Sequence, residues 1–332
     1  MKRVILKGFL PGTLLLLLGM VSAVADPLLD DADWLRTMAF AAHQTNYSGI
    51  FIYQAGGRVE MSRITHLIDR QGEHERLQGL EGPRREIIRH NDRVWMFVGD
   101  KKVKFGKRHV RRTFPALLPE QILTLKESYT VTQEEEDRVA DHHAHTIRFQ
   151  PKDTLRYARK MWAHSDSGLL LKAVVLDEHN KVIEQYAFSQ LQIGGKIDRK
   201  WVPDSESETE EITVREHLSP LPQANVESLS SGWQVDGIPA GFKKIIEMRR
   251  TLAHRESPVV QIVFSDGLAA LSVFIEQLGE VEHPRLGLSS HGAVHVYRKL
   301  IDGMYVTVVG ELPPRSVLQV AESVRYAGMP YE

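Results

Sequence analysis

The chain has 332 residues, a length that predicts about two domains. Apolar residues make up 42% and charged residues 26%, the ordinary globular range, which excludes a wholly disordered, collagen-like or polytopic membrane chain. Lys plus Arg (42) balance Asp plus Glu (43), so there is no global pull toward nucleic acid, and the absence of cysteine excludes disulfides, a thiolate nucleophile and Cys-ligated metal.

The first segment reads as an export signal. Lys2, Arg3 and Lys7 precede an apolar run centred on residues 14–18, and Ala23-Val24-Ala25 places small residues where a signal peptidase cuts. A membrane anchor is the alternative, but the run is short for a span and Pro11-Gly12 interrupts it. The expectation is cleavage after residue 25 and a mature protein in a bacterial periplasm, a compartment that a cysteine-free exported chain suits.

Residues 33–43 predict a helix with Trp34, Leu35, Met38 and Ala42 on one stripe and aspartates at its N-terminal end. Period-two patterning then predicts strands over 47–54, 59–68, 74–80, 86–90, 94–98, 144–150, 155–163, 169–177 and 182–190, with a second helix over 115–126. Nine strands joined by turns imply an antiparallel meander. Such a sheet must cover its apolar face, either with a second sheet or by curling around the two helices, and a strongly curved sheet part-filled by helices leaves a concave apolar cavity. This first domain is expected over 26–202. The tract 203–232 opens with PDSESETEE, five acids without a base, and reads as a linker, with a long surface loop as the alternative. Residues 233–332 predict a smaller α+β domain. Its hairpins cross Ser265-Asp266-Gly267 and Asp302-Gly303, and a helix opens at Pro313-Pro314 with Val317, Val320, Ala321 and Val324 on one face. The fold class is therefore mainly β with α.

No catalytic signature is present. There is no G-x-S-x-G elbow and no H-E-x-x-H, and 99–107 has six residues between its glycines where a phosphate loop needs four. His142, His143 and His145 form the most metal-like cluster, but two ligands on one strand face do not close a site, so exposed histidines near a loop end are expected. His74, His254, His283, His291 and His295 are scattered and receive no role. The run 101–112 carries seven Lys or Arg and no acid. Extended, it puts Lys102, Lys104 and Arg108 on one face and Val103 and Phe105 on the other; with Lys107, Arg111 and Arg112 these cations form the candidate lipid or anion site. Three readings stand: a grip on a phosphorylated, acylated ligand, a docking surface for an acidic partner, or a solvated hairpin.

Six stretches in order resemble the RseB/MucB family of periplasmic sigma-factor regulators: NYSGIFIY (46–53), ERLQGLEGPRREIIR (75–89), LLLKAVVLDEHNKVIEQYAFSQLQI (169–193), GIPAGF (237–242), FSDGLAALSVFI (264–275) and TVVGELPP (307–314). At Val139-Ala140-Asp141-His142 the chain departs from the Gly-Arg or Asp-Arg turn common in that family. The resemblance implies a large domain like the lipoprotein carriers LolA and LolB, an open half-barrel around helices, and a small α+β domain on a flexible linker. It further implies binding to the periplasmic region of a transmembrane anti-sigma factor, protection of that factor from proteolysis, and release when lipopolysaccharide or a related envelope lipid binds. It brings no cofactor, no catalytic residue and no nucleic-acid role, and it leaves homo-oligomer formation open. A lipid or lipoprotein carrier is the alternative function; an envelope hydrolase would need a nucleophile and base that no spacing here reveals.

Overall fold

Alternating apolar and polar residues from Tyr47 onward build one long antiparallel sheet. The computed structural model describes residues 31–91, 93–99, 101–105, 114–118, 124–202, 231–250, 258–277 and 285–328. The expected export signal (1–25), the tract 203–230 and Lys107, Arg108, Arg111 and Arg112 lie outside the described residues.

Helix α1 (Asp31–Gln44) leads into β1 (Tyr47–Ala55), β2 (Arg58–Asp69), β3 (Gly72–Gly79), β4 (Arg85–His90), β5 (Arg93–Val98) and β6 (Lys101–Phe105). One helical turn, α2 (Leu125–Ser128), precedes β7 (Tyr129–Val139), β8 (His142–Pro151), β9 (Ala158–His164), β10 (Leu170–Leu176) and β11 (Val182–Ile193). The strand order is β6-β5-β4-β3-β2-β1-β11-β10-β9-β8-β7, two meanders sewn together where β1 pairs with β11. β6 and β7 end the order, so the sheet is open rather than a closed barrel. The expected half-barrel is present with eleven strands instead of nine. The two additions are β6, inside the basic run, and β7 (YTVTQEEEDRV), whose acids hide its alternation.

The helix expected over 115–126 is not found. Among the described residues of that stretch, Phe114–Leu118 forms a turn and regular helix begins at Leu125, while 119–123 lie outside the described residues. Pro115 and Pro119 within the stretch lack the N–H that a continuous helix needs. The segment still covers the sheet, because Phe114, Leu118 and Leu125 join its core. Helix α1 supplies Leu35, Met38, Ala39, Ala41 and Ala42, and the strands supply Phe51, Ile64, Ile147, Phe149, Met161 and Phe188. Gly49 of β1 is needed at this contact: a Cβ there would stand 2.5 Å from the Gln190 carbonyl and 2.8 Å from the Phe188 ring.

The small domain contains β12 (Trp233–Val235), β13 (Lys243–Arg250), β14 (Val259–Ser265), β15 (Ala270–Gln277), β16 (Gly287–His291), β17 (Val294–Ile301), β18 (Met304–Gly310), α3 (Pro314–Glu322) and β19 (Val324–Tyr326). Six strands pair in the order β13-β14-β15-β18-β17-β16, and β12 pairs with β19. Both expected hairpins and the expected helix are present. Val317, Val320 and Ala321 of α3 are fully buried with Ile262, Leu271, Val273, Val306 and Val308.

A carboxylate ties α1 to the sheet. Glu73 Oε1 lies 2.9 Å from His43 Nδ1 and 3.0 Å from His66 Nε2, while His66 Nδ1 donates to the Thr45 carbonyl at 2.7 Å. His66 is fully buried and stacks on Tyr47 with ring centres 5.0 Å apart. Burial raises the Glu73 carboxyl, but the bonds from His43 and His66 outweigh it and hold the group at about 2. A carboxyl lowered from 4.5 adds stability that is complete above pH 4.5 and disappears as pH falls toward 2. We expect Glu73→Gln to be destabilised relative to wild type by about 2 kcal/mol at pH 6, with the gap closing below pH 3. Unfolding curves of both proteins across this range check it, and a pH-independent gap would exclude the bridge.

Candidate functional site

The two domains meet at one end of the large sheet, around a single carboxylate. Asp266 sits in the tight turn that joins β14 to β15. Its Oδ1 accepts from the backbone N–H groups of Leu268 (3.0 Å) and Ala269 (2.8 Å), which shapes the turn. Its Oδ2 accepts from Tyr129 Oη (3.0 Å) and Arg156 Nε (2.8 Å), both in the large domain. The Arg156 and Asp266 side chains are 1% and 0% exposed, so this ion pair is fully removed from water. Arg156 also donates to Asp153 and to the Ala240 carbonyl, and Phe242 faces its guanidinium with the ring centre 5.1 Å away. Burial opposes the Arg156 charge, but the bond and charge of Asp266 outweigh it and raise the group's affinity for its proton. Burial, reinforced by the Asp266 charge and bond, pushes the Tyr129 hydroxyl well above its usual range.

Leu268, two residues after Asp266, projects into the large domain. It is buried within the same cluster as Phe51, Phe114, Leu125, Tyr129 and Phe188, and among the described residues it is the only member from the small domain. Around it, Arg159 Nη2 meets Glu311 Oε2 at 3.1 Å, and Ser316 Oγ donates to the Leu155 carbonyl at 2.9 Å. Tyr157, Val175 and Ala293 form a small apolar cluster. Gly292, at φ +58, lets the β16–β17 turn reach β1: a Cβ there would stand 2.7 Å from Ala55 Cβ.

Sequence reasoning missed this site. It placed residues 155–163 in a strand, whereas β9 begins at Ala158 and Arg156 turns into the junction. It read Asp266 as turn chemistry only. The available signal was Leu268, a large apolar residue directly beyond a Ser-Asp-Gly turn.

The basic strand occupies the far edge of the large sheet. Lys102 lies opposite Phe97, and Lys104 lies opposite Trp95. Register continues across the strands as Lys104–Trp95–Ile88–Arg76–Thr65–Ser48, one face of the sheet. The adjacent row, Val103–Met96–Ile87–Leu77–Ile64–Gly49, lies on the other face and runs into the buried core at Ile64 and Leu77. By register, Lys102 and Lys104 fall at positions of the first face, the one that also carries Trp95 and Ile88. Arg76 and Arg84 add cations there; both bond the buried Glu86, at 2.5 and 2.9 Å.

The histidines differ from expectation. His142 Nε2 donates to the Leu191 carbonyl at 3.0 Å, and His145 packs edge-on against Trp34; only His143 is exposed. His74 is also fully buried, bridging Asp69 Oδ1 (3.1 Å) to His90 Nδ1 (2.8 Å). No three His, Asp or Glu side chains converge as a metal site among the described residues, nor is any described helix long and apolar enough to cross a membrane.

An open antiparallel sheet filled from its concave side, and locked to a second β domain through a buried ion pair, defines a two-domain binding protein. The MucB/RseB N-terminal domain model matches residues 30–206 and the MucB/RseB C-terminal domain model matches residues 227–325. The chain belongs to the MucB/RseB family. It is 30% identical over 321 residues to the sigma factor AlgU regulatory protein MucB of Pseudomonas aeruginosa, covering 94% of this chain and 96% of the relative. It is 24% identical over 296 residues to the sigma-E factor regulatory protein RseB of Escherichia coli K12, covering 88% and 89%. Among solved structures, MucB in complex with MucA(peri) superposes with a TM-score of 0.66 at 28% identity, covering 90% of this chain and all of that one. The complex of Pseudomonas aeruginosa MucA and MucB gives 0.68, covering 90% and 99%.

Removing the guanidinium would strand the Asp266 charge in the interior. We expect Arg156→Met to cost about 3–5 kcal/mol, and Arg156→Met with Asp266→Asn, which removes the charge but keeps an oxygen for the turn N–H groups, to recover much of it. Urea unfolding of the single and double variants measures this, and an undiminished cost in the double variant would count against the pair as the junction's centre.

Proposed function

We propose that this chain is a periplasmic regulator of an envelope-stress sigma factor. It binds the periplasmic region of a membrane anti-sigma factor, shields that region from proteolysis, and lets go when an envelope lipid binds. The observation that carries this reading is the family match through both domains, with relatives named as sigma-factor regulators and one solved bound to MucA(peri). The work is binding rather than catalysis, and the export signal supports the periplasm as its place. A minimal lipid carrier would not need the second domain or its locked junction.

The lipid reading rests on amphipathic geometry. Lys102 and Lys104 alternate along β6 with Val103, whose row leads into the apolar core. A phosphorylated head on Lys102, Lys104 and Arg84, with acyl chains toward the core, fits that division. Lys107, Arg108, Arg111 and Arg112 extend the basic run in sequence. The boundaries read for the domains, 26–202 and 233–332 with 203–232 between them, provide the two bodies whose relative position a ligand can bias. Release needs only a difference in lipid affinity between the free and partner-bound forms; about 1–3 kcal/mol changes partner affinity roughly 5- to 150-fold.

We expect the mature protein to retain the periplasmic fragment of its organism's membrane anti-sigma factor in a pull-down, and purified lipid A to elute it. No retention would reject the regulatory reading. Lys102→Glu with Lys104→Glu should raise the lipid A concentration needed for release at least roughly thirtyfold, counting about 1 kcal/mol for each lysine lost. A wild-type response in that variant would remove the basic strand from the lipid site.

A further inference from the structure

The turn that carries Asp266 and Leu268 has the chemistry of a ligand. It presents a carboxylate to a buried guanidinium and, two residues on, a branched hydrocarbon to an apolar cluster. We propose that this turn is an internal stand-in for an anionic amphiphile: the large domain has a site at its junction end that takes an acid head group on Arg156 and an acyl chain in the place of Leu268. The inference rests on the lipid reading above and adds to the basic strand a second site, at the junction.

Three observations support it. First, the described concave face is filled by the chain's own groups, so a guest must displace one of them. Helix α1 is fastened through His43, Glu73 and His66, and Phe114 is wedged among Phe51, Tyr186 and Phe188 with ring centres 5.0 to 5.6 Å away. Leu268 belongs to another domain and can leave as that domain moves. Second, the cluster around Leu268 is apolar, and the Tyr129 hydroxyl already has a partner in Asp266. The turn brings its own answer to backbone desolvation: Asp266 Oδ1 caps the N–H groups of Leu268 and Ala269, and the Ala269 carbonyl accepts from Ser265 Oγ at 2.9 Å. An entering peptide would need such partners, whereas a hydrocarbon chain needs none. Third, Arg156 keeps Asp153, in its own domain, when Asp266 and the Ala240 carbonyl withdraw together with the small domain, so its Nε and Nη2 donors are left for a carboxylate or phosphate.

Competition between turn and amphiphile couples lipid entry to opening of the junction. The test uses the full mature chain with dodecanoate, dodecyl phosphate and uncharged dodecanol, each below its micelle concentration, followed by calorimetry. Both anions should bind, dodecanol at least tenfold more weakly, and the tighter anion distinguishes a fatty acid from a phosphorylated lipid as the source. Leu268→Ala, which keeps Asp266 and vacates the chain site, should bind the anions at least fivefold more tightly, and Leu268→Met should match wild type. The chain lacks cysteine, so Lys196→Cys with Glu322→Cys gives a single donor–acceptor pair across the junction. Energy transfer between those labels should change in step with amphiphile occupancy. Equal or weaker binding by Leu268→Ala, or occupancy without a change in transfer, would overturn the stand-in while leaving lipid binding elsewhere intact. No binding of any amphiphile by wild type or variants would overturn both the stand-in and the lipid reading.

Discussion

Asp266 is the point on which the two domains agree. Each of its oxygens accepts two hydrogen bonds, one pair from its own turn and the other from Tyr129 and Arg156. Asp266 is thus a turn-former and a docking group at once, and neither task leaves it a free lone pair. A buried ion pair adds little net stability, because the charges lose their water before they gain each other. It does impose position. The bonds form only when the β14–β15 turn stands in one place relative to Tyr129 and Arg156, so the junction discriminates sharply between docked and undocked arrangements.

Much of the framework was legible in the sequence because it is local. Alternation gave most of the strands, Asp-Gly turns gave the hairpins, and the stripe Val317, Val320, Ala321, Val324 gave α3. Two strands escaped for different reasons: β6 is short and basic, and β7 carries a Gln-Glu-Glu-Glu-Asp run that masks its alternation. The junction escaped because it is non-local. Arg156 and Asp266 stand 110 positions apart, and nothing near either residue announces the other. Three of the segments that carry the family resemblance nevertheless meet there. GIPAGF supplies Ala240 and Phe242 around Arg156, FSDGL supplies Asp266 and Leu268, and TVVGELPP supplies Glu311 to Arg159. Turn chemistry that looks generic in one dimension encloses a buried charge in three.

The sheet itself separates chemistries by pleat. Period two alone sends the row through Lys104 and Arg76 to one face and the row through Val103 and Ile64 to the other. Basic and apolar positions thus alternate along the edge strand, with Trp95 and the buried Ile88 sharing the row of Lys104. The same adjacency recurs at the junction, where a guanidinium borders an apolar cluster. Both places match a molecule with an acidic head and a greasy tail, and they lie at different parts of the same open sheet.

A regulator built this way must not hold its domains together too firmly. Ligand coupling of 1–3 kcal/mol can redistribute two arrangements only when their free energies differ by a similar amount. A junction of the same extent made wholly of aliphatic contacts would gain roughly 25 cal/mol for every Å² removed from water and would stay shut against such a ligand. Centring the junction on a desolvated ion pair lowers its net strength while preserving its geometry, since much of the attraction between Arg156 and Asp266 is offset by the water both lost. An anion that replaces the Asp266 carboxylate then meets a guanidinium already oriented by Asp153 of its own domain. The head group takes up the donors that Asp266 and Ala240 give up, and it gains the attraction they had. The feature that makes the pair a poor stabiliser therefore makes Arg156 a strong receptor once the turn moves aside.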